Sequence, residues 1–268
     1  MRANCSASPA PLLGLSWRSL VATLLALQFL IGCIAVPKTP IPTLSYRTRT
    51  TGRQRHLLVL LRGLGAGHTV FAKKGIIDEI RARQLPFDVI APDVHFGYYK
   101  AKTFEQRLKE DIIDPARQQG YEQIWLAGFS MGGLGCLLYL RSHPSDIDGV
   151  LLTSPFLGWR PLQREIRRAG GVATWQATAD DPEHWQRMIW TWIKTHDPAT
   201  TPPIWLGYGE NDILAAGGPP LLAATLPADR VFTVPGNHTI GTFKKIFRRH
   251  LDTLAKQSKE MVKGKETR

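Results

Sequence analysis

Three cysteines in 268 residues, at positions 5, 33 and 136, are too few and too widely spaced for a disulfide framework or a zinc site. His, Asp, Cys and Glu never gather at metal-ligand spacing, so neither metal nor other cofactor is expected. Lysine and arginine exceed the acids to give a formal charge of +12, yet they form only short clusters such as Arg164 to Arg168 and Lys244 to Arg249. No basic block is interleaved with aromatics, so the charge speaks for solubility and anionic surfaces, and a nucleic-acid partner is not expected. The glycine-rich Arg62-Gly63-Leu64-Gly65-Ala66-Gly67 lacks the Lys-Ser/Thr that a phosphate-binding loop needs. Internal repeats and low-complexity tracts are also missing. What remains is ordinary globular material, 43% hydrophobic and 21% charged with 24 Gly and 19 Pro, which excludes a coiled coil, a collagen and a disordered chain.

The N-terminus is different in kind. Arg2 and Arg18 precede the apolar run Leu20 to Ile31, whose only polar members are Thr23 and Gln28, as in the charged and apolar regions of a secretory signal. The run ends in Leu30-Ile31-Gly32-Cys33, which resembles the lipobox of bacterial lipoproteins. That resemblance implies cleavage after residue 32, lipid attachment at Cys33 and an extracytoplasmic place in a bacterial cell envelope. Ile34 stands where some inner-membrane lipoproteins carry Asp, which favours the outer membrane where there are two. The competing reading is an uncleaved anchor helix, Leu20 to Val36, at the lower edge of what spans a bilayer. Residues 33–45, punctuated by Pro37, Pro40 and Pro42, read as an extended tether.

From residue 46 to 258 the chain alternates in type. His56 to Leu61, Phe87 to Ala91, Ile124 to Ala127, Gly149 to Thr153, Ile204 to Tyr208 and Arg230 to Val234 are short apolar runs rich in β-formers. Helix-length amphipathic segments such as Phe104 to Gln119 and Leu134 to Ser142 separate them. Strands apolar on both faces, joined through helices, predict an α/β fold with a mainly parallel sheet covered on both sides. The segment at about 157–200 is too long for one crossover helix and holds five of the eight tryptophans, at 159, 175, 185, 190 and 192. It reads as an inserted helical cap. Residues 259–268 read as a polar tail, and Cys136 as a buried free thiol.

Gly128-Phe129-Ser130-Met131-Gly132 follows one of the apolar runs and opens a helical segment. A strand-to-helix turn that sharp strains its central residue and lifts the Ser130 hydroxyl above the sheet, while the glycines let backbone pass closely. A plain N-capping serine would need no partners elsewhere. Partners exist: Ile204 to Tyr208 leads into Gly209-Glu210-Asn211-Asp212, and Val231 to Val234 leads into Pro235-Gly236-Asn237-His238. In these motifs and their order the chain resembles the α/β-hydrolase family.

The resemblance implies a serine hydrolase with Ser130 as nucleophile, Asp212 as acid and His238 as base, acting on carboxylic esters through an acyl-enzyme. Glu210 competes with Asp212 from two positions away, while Leu151 to Phe156 offers no carboxylate. The glycine-rich Arg62 to Gly67 takes the place of the family's oxyanion loop, with Arg62 where a His often stands. It implies backbone donors at Leu64 and Met131. His68 and His95 fall in loops after strands and could meet substrate; Asp93 reads as a turn residue. The cap tryptophans, Trp175 and Trp190 among them, either line the acyl pocket or pack the cap onto the sheet. The expected partners are a small or lipid-like ester and the membrane. Two further readings stay open: transfer of the acyl group to an envelope lipid or glycan, and a tethered binding module without turnover.

Overall fold

Leu57, Val59 and Leu61 join the core on one side of a sheet, Leu58 and Leu60 the core on the other, and all five are fully buried. That alternation is what a strand apolar on both faces must produce when helices cover both sides. The computed structural model describes residues 35–47, 56–176, 182–215 and 217–266, with side chains to Lys256. Residues 1–32, read from the sequence as a signal, and Cys33 lie outside the described residues, and the fold is that of the unit Val36–Arg268.

Seven strands form the sheet: β1 (Thr43–Tyr46), β2 (His56–Leu61), β3 (Phe87–Pro92), β4 (Gln123–Phe129), β5 (Gly149–Thr153), β6 (Ile204–Gly209) and β7 (Val231–Val234). Their order is β1-β3-β2-β4-β5-β6-β7. All neighbours are parallel except β1, which runs antiparallel on β3 with Thr43 opposite Pro92. The registers bring the carboxyl ends of the parallel strands to one edge: Leu61 faces Gly128, Phe129 faces Thr153, Thr153 faces Gly207 and Gly209 faces Val234. Whatever follows each strand is therefore gathered at a single edge.

One core layer contains the helix Met131–Ser142 and the stretch Phe104–Gln118, which is helical with a π-turn over Lys109–Ile113. Pro115 explains the wider turn, because it has no N–H to donate and its ring crowds the carbonyl four residues earlier. The other layer holds the helix Ile76–Ala82 and, through Phe243, Phe247, Leu251 and Leu254, the long helix Ile240–Glu266.

Two boundaries differ from the sequence reading. The tether expected over 33–45 is shorter, since Ile41 is buried and Thr43 to Ser45 belong to β1. Residues 259–266, read as a polar tail, continue the last helix. The segment at 157–200 contains helices Arg160–Arg168 and Trp185–Thr195, and its Leu157, Ile166, Ile189 and Ile193 share the core cluster of the Met131–Ser142 layer.

Candidate active site

Gly128 and Gly132 explain why β4 can turn into a helix within one residue. A Cβ at Gly128 would run into the Gly132 carbonyl, and one at Gly132 into the carbonyl oxygen of Leu61. Between them Ser130 takes φ 54° and ψ −114°, a conformation that costs a non-glycine residue about 1–3 kcal/mol. Neighbouring backbone holds it there: Ser130 N–H donates to Thr153 O at 3.0 Å, and its own carbonyl accepts from Phe156 N–H at 2.9 Å.

His238 Nε2 lies 2.8 Å from Ser130 Oγ, and His238 Nδ1 lies 2.8 Å from Asp212 Oδ2. The loops that carry the acid and the imidazole are stitched together by Glu210 N–H to Val234 O at 3.0 Å and Asn211 N–H to Gly236 O at 2.9 Å. Phe243 meets the His238 ring edge-on at 4.8 Å and limits its rotation. Glu210 turns away and accepts from the Thr233 hydroxyl at 3.1 Å. Of the two acids weighed in the sequence, Asp212 is the one against the imidazole.

Asp212 is buried, which by itself raises a carboxyl's pKa. Hydrogen bonds from His238, from the Ala215 N–H at 3.0 Å and from the Ser154 hydroxyl outweigh burial and hold it below the ordinary carboxylate value. It is therefore an anion across the neutral range, able to orient the imidazole and to stabilise its charged form.

The glycine-rich loop passes close to Ser130. A Cβ on Gly63 would lie 3.3 Å from Phe129 O and 3.4 Å from Ser130 Cβ, which leaves room for little but backbone. Leu64 follows with its side chain in solvent. Met131 opens the helix behind Ser130, and its N–H belongs to a first turn that has no intrahelical acceptor.

Arg62, departing from the family's pattern, braces this loop from below. Its Nη1 donates to the carbonyls of Ala66 and, at 3.4 Å, Gly63, while Nε stands 2.8 Å from Asp93 Oδ1 in an ion pair outside hydrogen-bond alignment. Asp93 thus does more than turn the chain: it also meets His68 Nδ1 at 3.3 Å. His95 caps the helix Phe96–Lys100 by accepting from Gly97 N–H at 3.1 Å, and burial lowers its pKa. Both histidines are thus engaged with protein groups at the edge of the site.

Trp175 and Trp190 belong to the core cluster that this segment shares with the sheet. Both are wholly buried; Trp190 Nε1 donates to Leu157 O at 2.9 Å and Trp175 Nε1 to Glu165 at 2.9 Å. Trp190 thereby satisfies its one polar atom inside the core, and Trp175 satisfies its own at the half-exposed Glu165 carboxylate, as packing residues do. Glu165 also pairs with Arg187 at 2.7 Å, clamping the two segment helices. Among the described residues no group of three or more His, Cys, Asp or Glu could hold a metal ion.

A profile described as "alpha/beta hydrolase fold" matches residues 56–188. This is an α/β-hydrolase fold. Solved structures agree over most of the chain. A Paleococcus ferrophilus monoacylglycerol lipase superposes with a TM-score of 0.55 at 18% identity, covering 81% of this chain and 98% of its own. A ferulic acid esterase gives 0.57 at 14% identity, covering 81% and 97%. The Staphylococcus aureus fluorophosphonate-binding serine hydrolase F gives 0.54 at 14%, covering 82% and 95%. No curated protein sequence matches this chain. At these identities the likeness is one of fold.

Proposed function

We propose that this α/β-hydrolase is a serine carboxylic-ester hydrolase, with Ser130, His238 and Asp212 as its catalytic triad. The observation that carries the reading is the unbroken line from the Ser130 hydroxyl through the imidazole to a buried carboxylate, with both contacts at 2.8 Å. His238 Nε2 takes the Ser130 proton as Oγ attacks the ester carbonyl, and Asp212 stabilises the imidazolium that forms. The N–H groups of Met131 and Leu64 stabilise the oxyanion, and His238 returns the proton to the leaving alkoxide. Water, deprotonated by the same imidazole, then releases the acid from the acyl-enzyme. The esterases and lipases among the structural neighbours support an ester as substrate.

The N-terminal run and its Cys33 support a place at the bacterial envelope membrane, extracytoplasmic and tied by lipid at that cysteine. The test of the chemistry is intact-protein mass spectrometry after a lipophilic fluorophosphonate, beside esters of graded acyl length. One adduct on Ser130 and loss of turnover in Ser130→Ala are expected. Full activity in that variant would end the proposal.

A further inference from the structure

Among the described residues, six large apolar side chains stay exposed just after parallel strands, in the loops or at the first residue of the next helix: Leu64 after β2, Phe96 after β3, Trp159 after β5, Ile213 and Leu214 after β6, and Ile240 after β7. All six therefore stand at the edge that carries Ser130, Asp212 and His238. The one other large exposed apolar residue is Val36, 80% exposed. Among the described residues none lies in the loops that lead into the parallel strands or beyond the first residue of a helix, so these are not the isolated surface residues that any protein scatters at random.

Val36 belongs with the six. Because β1 runs antiparallel, with Thr43 opposite Pro92, the chain enters the domain at the carboxyl end of the parallel strands. Tyr98 fastens it there: its hydroxyl donates to Lys38 O at 2.7 Å and accepts from Lys38 N–H at 3.0 Å. His95 meets the Val36 backbone beside exposed Phe96. Upstream lie Cys33 and the apolar run Leu20 to Ile31. Three extended residues reach no more than about 11 Å, so a lipid on Cys33 would be held within that distance of Val36. An uncleaved anchor helix ending at Val36 would bring the membrane closer still.

From this we infer that the catalytic face is a lipid-docking surface: its apolar rim settles into the interface of the bilayer to which the N-terminus is tied, and Ser130 takes acyl esters directly from that layer. The formal charge of +12 adds attraction to anionic headgroups. Exposed Trp159 supplies the ring that favours the headgroup level. The inference rests on the membrane attachment proposed above but needs no turnover to be tested.

The full chain is reconstituted into phosphatidylcholine–phosphatidylglycerol vesicles whose acyl chains are brominated near the headgroup, and the Trp159 signal is read as the difference between the wild type and Trp159→Phe. Quenching of that difference signal by about half or more is expected for a ring at the interface. In parallel, Trp159→Ser combined with Leu214→Ser should lower hydrolysis of a vesicle-dispersed ester about fivefold, with the same ester in free solution little affected. An unquenched Trp159 on membrane-bound protein would overturn the inference, as would protein that stays off the vesicles. So would a lipid-independent dimer in sedimentation that shields Trp159, which would assign the face to a second copy. Failure of the hydrolase reading would look different: no serine adduct and no turnover in solution, with quenching intact.

Discussion

The Ser154 hydroxyl accepts from the Gly209 N–H at 3.4 Å and donates to the carboxylate of Asp212. It stands at the end of β5, fully buried, with φ 43°. A residue that offers no carboxylate of its own thus helps to hold the one that His238 uses. Replacing it with Ala should lower kcat/KM about tenfold, the worth of one hydrogen bond to a charged group. Losing a donor also raises the Asp212 pKa, so the acid limb of the rate profile should move to higher pH. Ser154→Gly, which relieves the backbone but likewise lacks the hydroxyl, should show the same shift; recovery in the glycine variant would mean that backbone strain was the cause.

Arg62 holds the loop over the nucleophile through carbonyls on its far side. In Arg62→Met the loop amide should lose its fixed aim, lowering kcat by about ten- to a hundredfold with KM little changed, somewhat less than the loss of an oxyanion donor. The rate of fluorophosphonate labelling should fall in step. Unchanged labelling would show that the loop keeps its shape without the brace.

Trp190→Ala empties a fully buried site and strands the Leu157 carbonyl. Destabilisation of about 3–5 kcal/mol is expected in denaturant titration. Where folded protein can be recovered, its acyl-length preference should match the wild type. A changed preference without loss of stability would return the residue to the pocket.

His250 is buried with Nε2 3.0 Å from Leu152 O, and burial lowers its pKa from 6.5 to about 4. The unfolded chain therefore takes up a proton on this residue at higher pH than the folded one. Stability should be complete above about pH 6.5 and decline towards pH 4, by about 3 kcal/mol at most. Glu79, held at about 2 chiefly by its hydrogen bond with Arg248 and further by Arg83 and Lys244, extends the decline below pH 4.5 in the same direction. Thermal melts of His250→Phe should show a lower Tm but a flatter slope between pH 6.5 and 4; an unchanged slope would place the titrating group elsewhere.

Cys136 is buried in the middle of the helix behind Ser130, and burial pushes its thiol pKa up. It should resist a maleimide in native buffer and react stoichiometrically in guanidinium. Rapid native labelling would require an opening that this packing does not provide.

Much of this was readable in the chain. The parallel strands announce themselves because both of their faces are buried, and His56–Leu61 and Gly149–Thr153 match the structure residue for residue. Asp212 and His238 follow from their place after β6 and β7, where order along the chain carries the signal. β1 was hidden because it is a four-residue edge strand, alternately exposed and half-buried, beside three prolines that suggest a free tether. Ser154 and Asp93 were invisible for another reason: each matters through partners far along the chain, and neither motif nor periodicity encodes that crossing. A dense run of tryptophans is equally compatible with lining and with packing. The burial of the rings is what tells them apart, and Trp175 and Trp190 are both enclosed in the core.

β7 has four residues, pairs only with β6 and keeps just Val234 fully buried, yet the loop that follows it carries His238. Edge strands of this kind open before the rest of a sheet does. The imidazole therefore rides on an edge rung, while Ser130 sits on central β4 and is tied to β5. Gentle heating or mild denaturant should open this rung first and silence the enzyme while nearly all of its helix and sheet persist. Cooling should restore full turnover within the time a single strand takes to re-dock, so that activity reports on the fraying of one edge and circular dichroism on the whole.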